Sequence, residues 1–428
     1  MIKGLIKIKL LQLLARVALI SFTFSLLLGL SACVKGLPGE TSGSEQSQVE
    51  KSLKRFRRQF VGPFDTVTDL IAYTPSEESF NAFADVVQER LQYYSDLFTI
   101  YDSEDLTASK LHESAPERQE ESMAKVTASA PSVAAELTHQ ERSLKVGEKA
   151  AYAGRGGKRR GANLREINAE AAAGPVLADP EVFELVRRGK ELSLQVESFN
   201  VALGPVTFLW HEAMEKAQIQ PEKASLPSET ELKKAAAHCQ PSDIILDGEA
   251  GTVFFKDKDM RLDFGGFAKG YAVERIAEEL SASGEVHALI SVGGNLRSIG
   301  SRPDGQAWQV GVLDPRGKNG ETLDHYALEQ GALVTSGVYE RFFTVEGVRY
   351  HHIIDPATLY PSKPYVSISV SALDSGLADA LSTALFGKSV DEGKKLAESF
   401  GVSVLWLMAD GSIVKTERWP ACDPQKQG

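Results

Sequence analysis

The amino-acid sequence predicts an α+β fold: one large domain, or two closely packed lobes, built on a mixed and largely antiparallel sheet with helices. Three observations lead there. Runs with strand-like alternation are interspersed with amphipathic helical runs from about residue 56 to residue 419. Several strand runs follow one another across short glycine-bearing turns, as hairpins do, instead of alternating strictly with helices. No repeat of the solenoid type runs through the chain.

The chain opens like an export signal. Lys3, Lys7, Lys9 and Arg16 form a basic head without any acid, and residues 17–30 are a charge-free apolar run. That run is shorter than the ~20 residues a membrane-spanning helix needs. Leu30-Ser31-Ala32-Cys33 closes it with small residues before a cysteine, the arrangement of a bacterial lipoprotein box, although Val34 rather than Asp follows. The expectation is a signal peptide over residues 1–32, cleavage before Cys33 and lipidation of that cysteine. A lipid anchor then holds the domain on the extracytoplasmic side of a membrane in a bacterial cell envelope. Residues 33–55 read as a tether, flexible where Gly, Ser, Glu and Gln dominate.

Without the four basic residues of the signal, the formal net charge of −11 becomes −15. So acidic a chain argues against a nucleic-acid partner and against adsorption to anionic lipid by charge. Cys239 and Cys422 have no CxxC spacing and read as incidental thiols rather than as a disulfide or a metal site.

Residues 64–73 (FDTVTDLIAY) alternate like a strand, and residues 79–98 carry a helical stripe through Phe83, Val86, Val87 and Leu91. From about 107 to 165 the composition turns polar and nearly free of aromatics. The basic run GRGGKRRG at 154–161 reads there as part of a solvated insertion. Order resumes with a loop and then a helix started near Asp179-Pro180. The folded domain is placed at residues 56–420, interrupted by the insertion and followed by a tail at 421–428.

The stretch that organises the domain is residues 263–280, DFGGFAKGYAVERIAEEL. A Gly265-Gly266 turn leads through Ala268-Lys269-Gly270 into a helix with Val273, Ile276, Ala277 and Leu280 on one face. A glycine pair before a helix lets backbone approach a phosphate and aims N–H groups at it, and it also makes an ordinary tight turn. Further along lie SFNVALGPVTFLW at 198–210, whose apolar content fits a strand-turn-helix core segment, LISVGGNLRSIG at 289–300 and WQVGVLDP at 308–315. ALVTSGVYERFF at 332–343 reads as two strands around a Thr335-Ser336-Gly337 turn, and HHIIDP follows at 351–356.

The apolar helix at 375–386, SGLADALSTALF, carries Asp379 and Thr383 four residues apart and therefore on one face. A carboxylate and a hydroxyl so placed suit a hard cation such as Mg²⁺; they also suit a helix cap and a bond back to the preceding turn. His352 is open to two readings as well, a satisfied polar residue or a general base.

Taken in order, DFGGFAKGYA, SVGGN, TSGVYERF, HHIIDP and the Asp379–Thr383 helix resemble the ApbE family of FAD:protein FMN transferases over roughly residues 56–419. The resemblance implies an ApbE-like fold that binds FAD with Mg²⁺. It further implies transfer of the FMN portion to a Thr or Ser hydroxyl of an acceptor flavoprotein, with release of AMP. It implies Asp379, Thr383 and the backbone carbonyl of Ala268 as metal ligands, and Lys269 beside the cofactor. It implies His352 as the residue that helps deprotonate the acceptor. Phe199, Asn200, Tyr339 and Arg341 fall in the blocks near the nucleotide, and an aromatic for the adenine falls near Ile100 or Tyr101.

Two departures from the family pattern stand out. Asn200 replaces an Asp, and the Asp-Pro-x-Thr-Gly turn reads Asp355-Pro356-Ala357-Thr358-Leu359, without its glycine. They leave two other activities to weigh: a non-catalytic flavin-binding lipoprotein, and a Mg²⁺-dependent FAD pyrophosphatase that uses water in place of the acceptor.

Overall fold

The computed structural model describes residues 53–100, 160–317, 320–362 and 364–420. The signal at 1–32, Cys33, the tether to residue 52, nearly all of the insertion, Tyr101, Cys422 and the tail at 421–428 lie outside the described residues.

β1 (Lys54–Val61) and β2 (Val67–Thr74) form an antiparallel pair. α1 (Glu77–Phe98) starts at Ser76, whose side chain accepts from Ser79 N, and buries Phe80, Phe83, Val87 and Leu91. α2 (Leu164–Glu170) opens with a capping box between Asn163 and Glu166. β3 (Val176–Leu177) follows, then α3 (Pro180–Gln195), with Asp179 as N-cap and proline in its first turn. Next come α4 (Gly204–Ile219), α5 (Glu229–Ala236), β4 (Ile244–Asp247) and β5 (Thr252–Phe255).

α6 (Ala268–Ser283) is the helix of the organising stretch, and Val273, Ile276, Ala277 and Leu280 are buried as the spacing requires. The strands that follow are β6 (Ala288–Val292), β7 (Asn295–Ile299), β8 (Trp308–Leu313), β9 (Thr322–Leu328) and β10 (Ala332–Gly337). β11 (Phe342–Val345) and β12 (Val348–His351) make a hairpin, and β13 (Tyr365–Ala372) leads to α7 (Ser375–Ala384). α8 (Val390–Phe400), β14 (Ser403–Met408) and β15 (Ile413–Lys415) end the described chain.

The main sheet has eight strands in the order β1-β2-β6-β7-β10-β13-β14-β15, each antiparallel to its neighbours. Its two faces are separated by the period-two alternation of strands. Leu70, Ile290, Val334 and Trp406 face the helices α1, α3, α6 and α7 in the large core. Ile71, Leu289, Leu333 and Leu405 face the other way, onto Trp308, Val310 and Leu328 of the β8–β9 hairpin. A third apolar cluster joins Val206 and Trp210 of α4 to Phe343 of β11 and Ile354. The expected α+β class with a largely antiparallel sheet is what the chain forms.

Four local expectations differ. β1 starts at Lys54, inside the range read as tether, and α2 begins at Leu164, at the edge of the range read as insertion. Residues 198–203 form turns and not a strand. Thr335, Ser336 and Gly337 belong to β10, where pairing with β13 overrides their turn preference; Thr335 Oγ1 lies 2.8 Å from Ser369 Oγ and Ser336 Oγ 2.7 Å from Ser382 Oγ. The turn comes after them, at residues 338–341.

α6 and α7 lie against each other so closely that a Cβ on Gly270 would stand 2.4 Å from Ser375 O and 2.5 Å from Asp379 Cβ. The two helices also exchange caps. Gly270 N, in the first turn of α6, donates to Asp379 Oδ2 at 2.8 Å, and Ser375 N, at the start of α7, donates to Glu274 Oε2 at 2.7 Å. β7 lies beneath both, with Arg297 paired to Glu274 at 2.8 Å.

An alanine in an exposed helix is about 1 kcal/mol better than a glycine. At position 270 the sign reverses. Gly270→Ala forces the helices apart and is expected to destabilise by about 1–3 kcal/mol in a denaturant melt; a variant as stable as the parent chain would contradict so close an approach.

Candidate functional site

The first turn of α6, α7, the N-terminal end of β7 and the β11–β12 hairpin meet at one place. Asp379 is 2% exposed. One carboxylate oxygen accepts from Gly270 N, and the side chain of Asn295 also hydrogen-bonds the carboxylate. Desolvation pushes the Asp379 carboxyl above its ordinary value; the nearby Lys269 charge and the two hydrogen bonds oppose that rise. The helix-cap alternative is thus met in an unexpected way. Asp379 caps α6, whereas its own helix is capped by Asp374, which accepts from Leu377 N at 2.7 Å.

Thr383, one turn further, presses on Gly266, where a Cβ would lie 2.7 Å from Thr383 Oγ1. Gly266 is needed for that close approach, since its φ is not in the left-handed region. The hydroxyl of Thr383 makes no hydrogen bond among the described residues, so the expected bond back to the preceding turn is not formed. Most N–H groups around the glycine pair are used within the chain, while Gly266 N makes no hydrogen bond among the described residues. Gly265 N donates to Asp263 Oδ1 at 2.8 Å, Phe267 N and Ala268 N donate to Phe264 O, and Gly270 N is held by Asp379. Those N–H groups close a tight turn.

Lys269 is half-buried, its Nζ 3.3 Å from Gly265 O. Its charge acts on Asp379, on Glu340 and on His352, three groups from three different elements, which marks the centre of the site. Ala268, the first residue of α6, is buried beside it.

The adjacent histidines divide the work. His351 is buried, with Nε2 2.8 Å from Ser362 O and Nδ1 accepting from Ile353 N at 3.2 Å, so both nitrogens hold the local backbone. His352 keeps an exposed edge in a crowded cleft. Its Nδ1 lies 3.1 Å from Arg341 O, and because a carbonyl only accepts, Nδ1 carries the proton and Nε2 keeps its lone pair. Desolvation by the crowded surroundings, reinforced by the charges of Arg341 and Lys269, pulls the imidazole down to about 4. Arg341 therefore serves His352 through its backbone, which also accepts from His352 N at 3.2 Å.

Tyr339 folds its ring over Gly337, leaving 2.3 Å between its Cε1 and the place of a Cβ, and burial raises its phenol. Glu340, between Tyr339 and Arg341, is a carboxylate that sequence reasoning passed over. Burial raises it, with Lys269 and Arg341 opposing and Asp379 adding. Its only sequence signal is a lone acid between two residues already singled out.

Phe199 and Asn200 make internal contacts. Phe199 is buried edge-on against Phe267 at 6.3 Å, beneath the start of α6. Asn200 donates from Nδ2 to Cys239 O and accepts at Oδ1 from Ala202 N, both at 2.8 Å. An aspartate could not make the first bond, which accounts for the amide physically. At the position of the missing turn glycine, Leu359 adopts φ 65°, a conformation that costs a side-chain-bearing residue about 1–2 kcal/mol. Trp210 Nε1 donates to Leu359 O at 2.9 Å and holds that turn. Ile100 packs on the main core. Cys239 is a free, buried thiol pushed up to about 12 by burial.

The residues present fit a hard divalent cation. A buried carboxylate without a salt bridge among the described residues shares a helix face with a hydroxyl that makes no hydrogen bond among them, and both are oxygen donors. A second cluster, His238, Asp257 and Asp259, also gathers metal-ligand types, but His238 Nδ1 and Asp257 Oδ2 already pair at 2.8 Å.

This is a helix-on-antiparallel-sheet fold in which a buried carboxylate, a nearby hydroxyl and a histidine with a lowered pKa share one cleft. The ApbE family model matches residues 157–406, more than half of the chain, and the chain belongs to the ApbE family. It is 33% identical over 266 residues to a protein of Treponema pallidum named FAD:protein FMN transferase, covering 58% of this chain and 72% of that one. It is also 33% identical over 232 residues to a protein of the same name from Klebsiella pneumoniae, covering 54% and 69%. The ApbE protein of Thermotoga maritima superposes with a TM-score of 0.65 at 24% identity, over 85% of this chain and 97% of that one. The flavin transferase ApbE of Vibrio cholerae gives 0.59 at 19%, over 85% and 96%. These two likenesses show the fold.

The low imidazole value has a direct consequence. Below the ordinary 6.5, the folded state resists protonation of His352. The stability linked to this ring is thus fully present above about pH 6.5 and is lost as pH falls through about 4. In an NMR titration the His352 ring is expected to stay neutral down to about pH 4; a midpoint near 6.5 would contradict the crowded, cation-flanked setting.

Proposed function

We propose that this chain is an FAD:protein FMN transferase that moves the FMN portion of FAD onto a Thr or Ser hydroxyl of an acceptor flavoprotein and releases AMP. The observation that carries the reading is the convergence of Asp379, Thr383, Lys269 and His352 from separate elements of an ApbE fold. Its relatives named FAD:protein FMN transferase support it. The resident cation would be Mg²⁺, held by Asp379, Thr383 and the carbonyl of Ala268. When bound, such an ion supplies neutralisation of negative charge on the pyrophosphate.

The chain's own residues supply the rest. Lys269 places a positive charge beside the phosphates. His352 is neutral at pH 7 with Nε2 open, so it can take the acceptor's proton. The acceptor oxygen forms a bond to the FMN phosphorus, the P–O bond to AMP breaks, and AMP leaves with the bonding electrons while the hydroxyl proton passes to Nε2. Tyr339 and the Arg341 backbone keep the hairpin in register with that nitrogen. The retained His352 favours a catalytic role over a flavin carrier. A pyrophosphatase differs only in using water as the nucleophile.

The export signal and Cys33 support placing the enzyme at a bacterial envelope membrane by a lipid anchor, where its acceptor would also stand.

The test is mass spectrometry of an acceptor domain incubated with the chain, FAD and Mg²⁺. A mass gain of one FMN phosphoester with released AMP is expected. Asp379→Ala should lose the Mg²⁺-dependent reaction, and His352→Ala should slow transfer roughly 10²–10⁴-fold with FAD affinity little changed. FMN and AMP formed without a modified acceptor would replace the proposal by FAD hydrolysis, and unchanged FAD by flavin binding alone.

A further inference from the structure

Asn295 opens β7 directly after the Gly293-Gly294 turn and is 1% exposed. Both glycines have positive φ, 50° and 84°, as a two-residue hairpin turn requires, and the turn delivers Asn295 under α7. Its side chain lies close enough to Asp379 to act on the carboxylate as a hydrogen-bonding group. A carboxylate only accepts, so the amide N–H₂ faces Asp379 and the amide oxygen faces elsewhere. That oxygen, Oδ1, is buried without a hydrogen-bond partner. An unsatisfied buried acceptor costs roughly 1–3 kcal/mol, and native chains leave few of them.

The orphaned oxygen belongs to the residue that touches the buried carboxylate Asp379, on the helix that also presents the unbonded hydroxyl of Thr383. A buried acceptor without a partner, a buried carboxylate without a salt bridge among the described residues and an unbonded, half-buried hydroxyl thus stand together on two adjoining elements. A single bound cation with its water relieves all three, because Mg²⁺ retains several waters that donate hydrogen bonds.

We propose that Asn295 is part of the cation site: its N–H₂ group fixes the Asp379 carboxylate, and its Oδ1 accepts a hydrogen bond from water held by the bound ion. This rests on the reading of Asp379 and Thr383 as cation ligands. The amide is suited to the place because it gives a donor to the carboxylate and an acceptor to the water. An aspartate there would set two like charges side by side, and a leucine of similar size would offer neither bond.

The test measures Mn²⁺ binding to the purified full-length chain, without FAD, from the paramagnetic resonance of free Mn²⁺. Asn295→Leu is expected to weaken binding roughly 10–100-fold, the usual range for a residue that orients a metal ligand. Asp379→Ala should remove binding. Unchanged affinity in Asn295→Leu, with binding lost in Asp379→Ala, would overturn the role of Asn295 and leave the site standing. Unchanged affinity in Asp379→Ala would overturn the site itself. Asn295→Asp guards against a leucine variant that fails to fold. Its paired carboxylates should make its melting temperature rise more on adding Mn²⁺ than that of the parent chain, and an equal rise would overturn the proposal.

Discussion

The structure depends on one buried carboxylate held at a three-way junction. Asp379 receives the N–H of Gly270 from α6 and the amide of Asn295 from β7, with no salt bridge among the described residues to balance its charge. Burying an ionised carboxylate costs several kcal/mol, and two charge-assisted hydrogen bonds offset part of that. The arrangement is reciprocal, because Glu274 of α6 caps α7 and is itself paired to Arg297 of β7. Asn295 and Arg297 stand two apart on one face of the strand, so one central strand of the sheet sets the register of both helices. These contacts hold the carboxylate in one place, as the proposed cation site requires.

The other half of the cleft is made by a hairpin. β11 and β12 bring the carbonyl of Arg341 under His352 and use His351 to tie the turn that follows. One histidine is consumed by structure so that its neighbour can keep a lone pair. Lys269, Arg341, Glu340 and Asp379 then make a cleft of mixed charge on a strongly acidic protein. Desolvation, reinforced by the cations, lowers the imidazole pKa, while burial raises the Glu340 carboxyl against the opposing cations.

Much of this was legible in the sequence. The spacing of Val273, Ile276, Ala277 and Leu280 placed α6, and the four-residue interval placed Asp379 and Thr383 on one face, because helical periodicity is a local property. The partners of those residues were not legible. That Asp379 caps another helix, or that Asn295 reaches it, depends on strand pairing across more than eighty residues. The glycine pair reads both as a phosphate loop and as a tight turn; that Gly266 also makes room for Thr383 was not legible. That Leu359 takes a left-handed backbone where the family pattern has glycine was not legible either. Thr335-Ser336-Gly337 reads as a turn by composition and is a strand by pairing, the usual result when tertiary contacts outweigh propensity.

The measurement that tests the central claim most directly is a crystal structure of the chain grown with FAD and Mn²⁺, with the ion located by its anomalous scattering. The account places the anomalous peak between Asp379 and Thr383, with the FAD pyrophosphate beside it and within reach of His352. A peak confined to His238, Asp257 and Asp259, or FAD bound away from the α6–α7 junction, would contradict it.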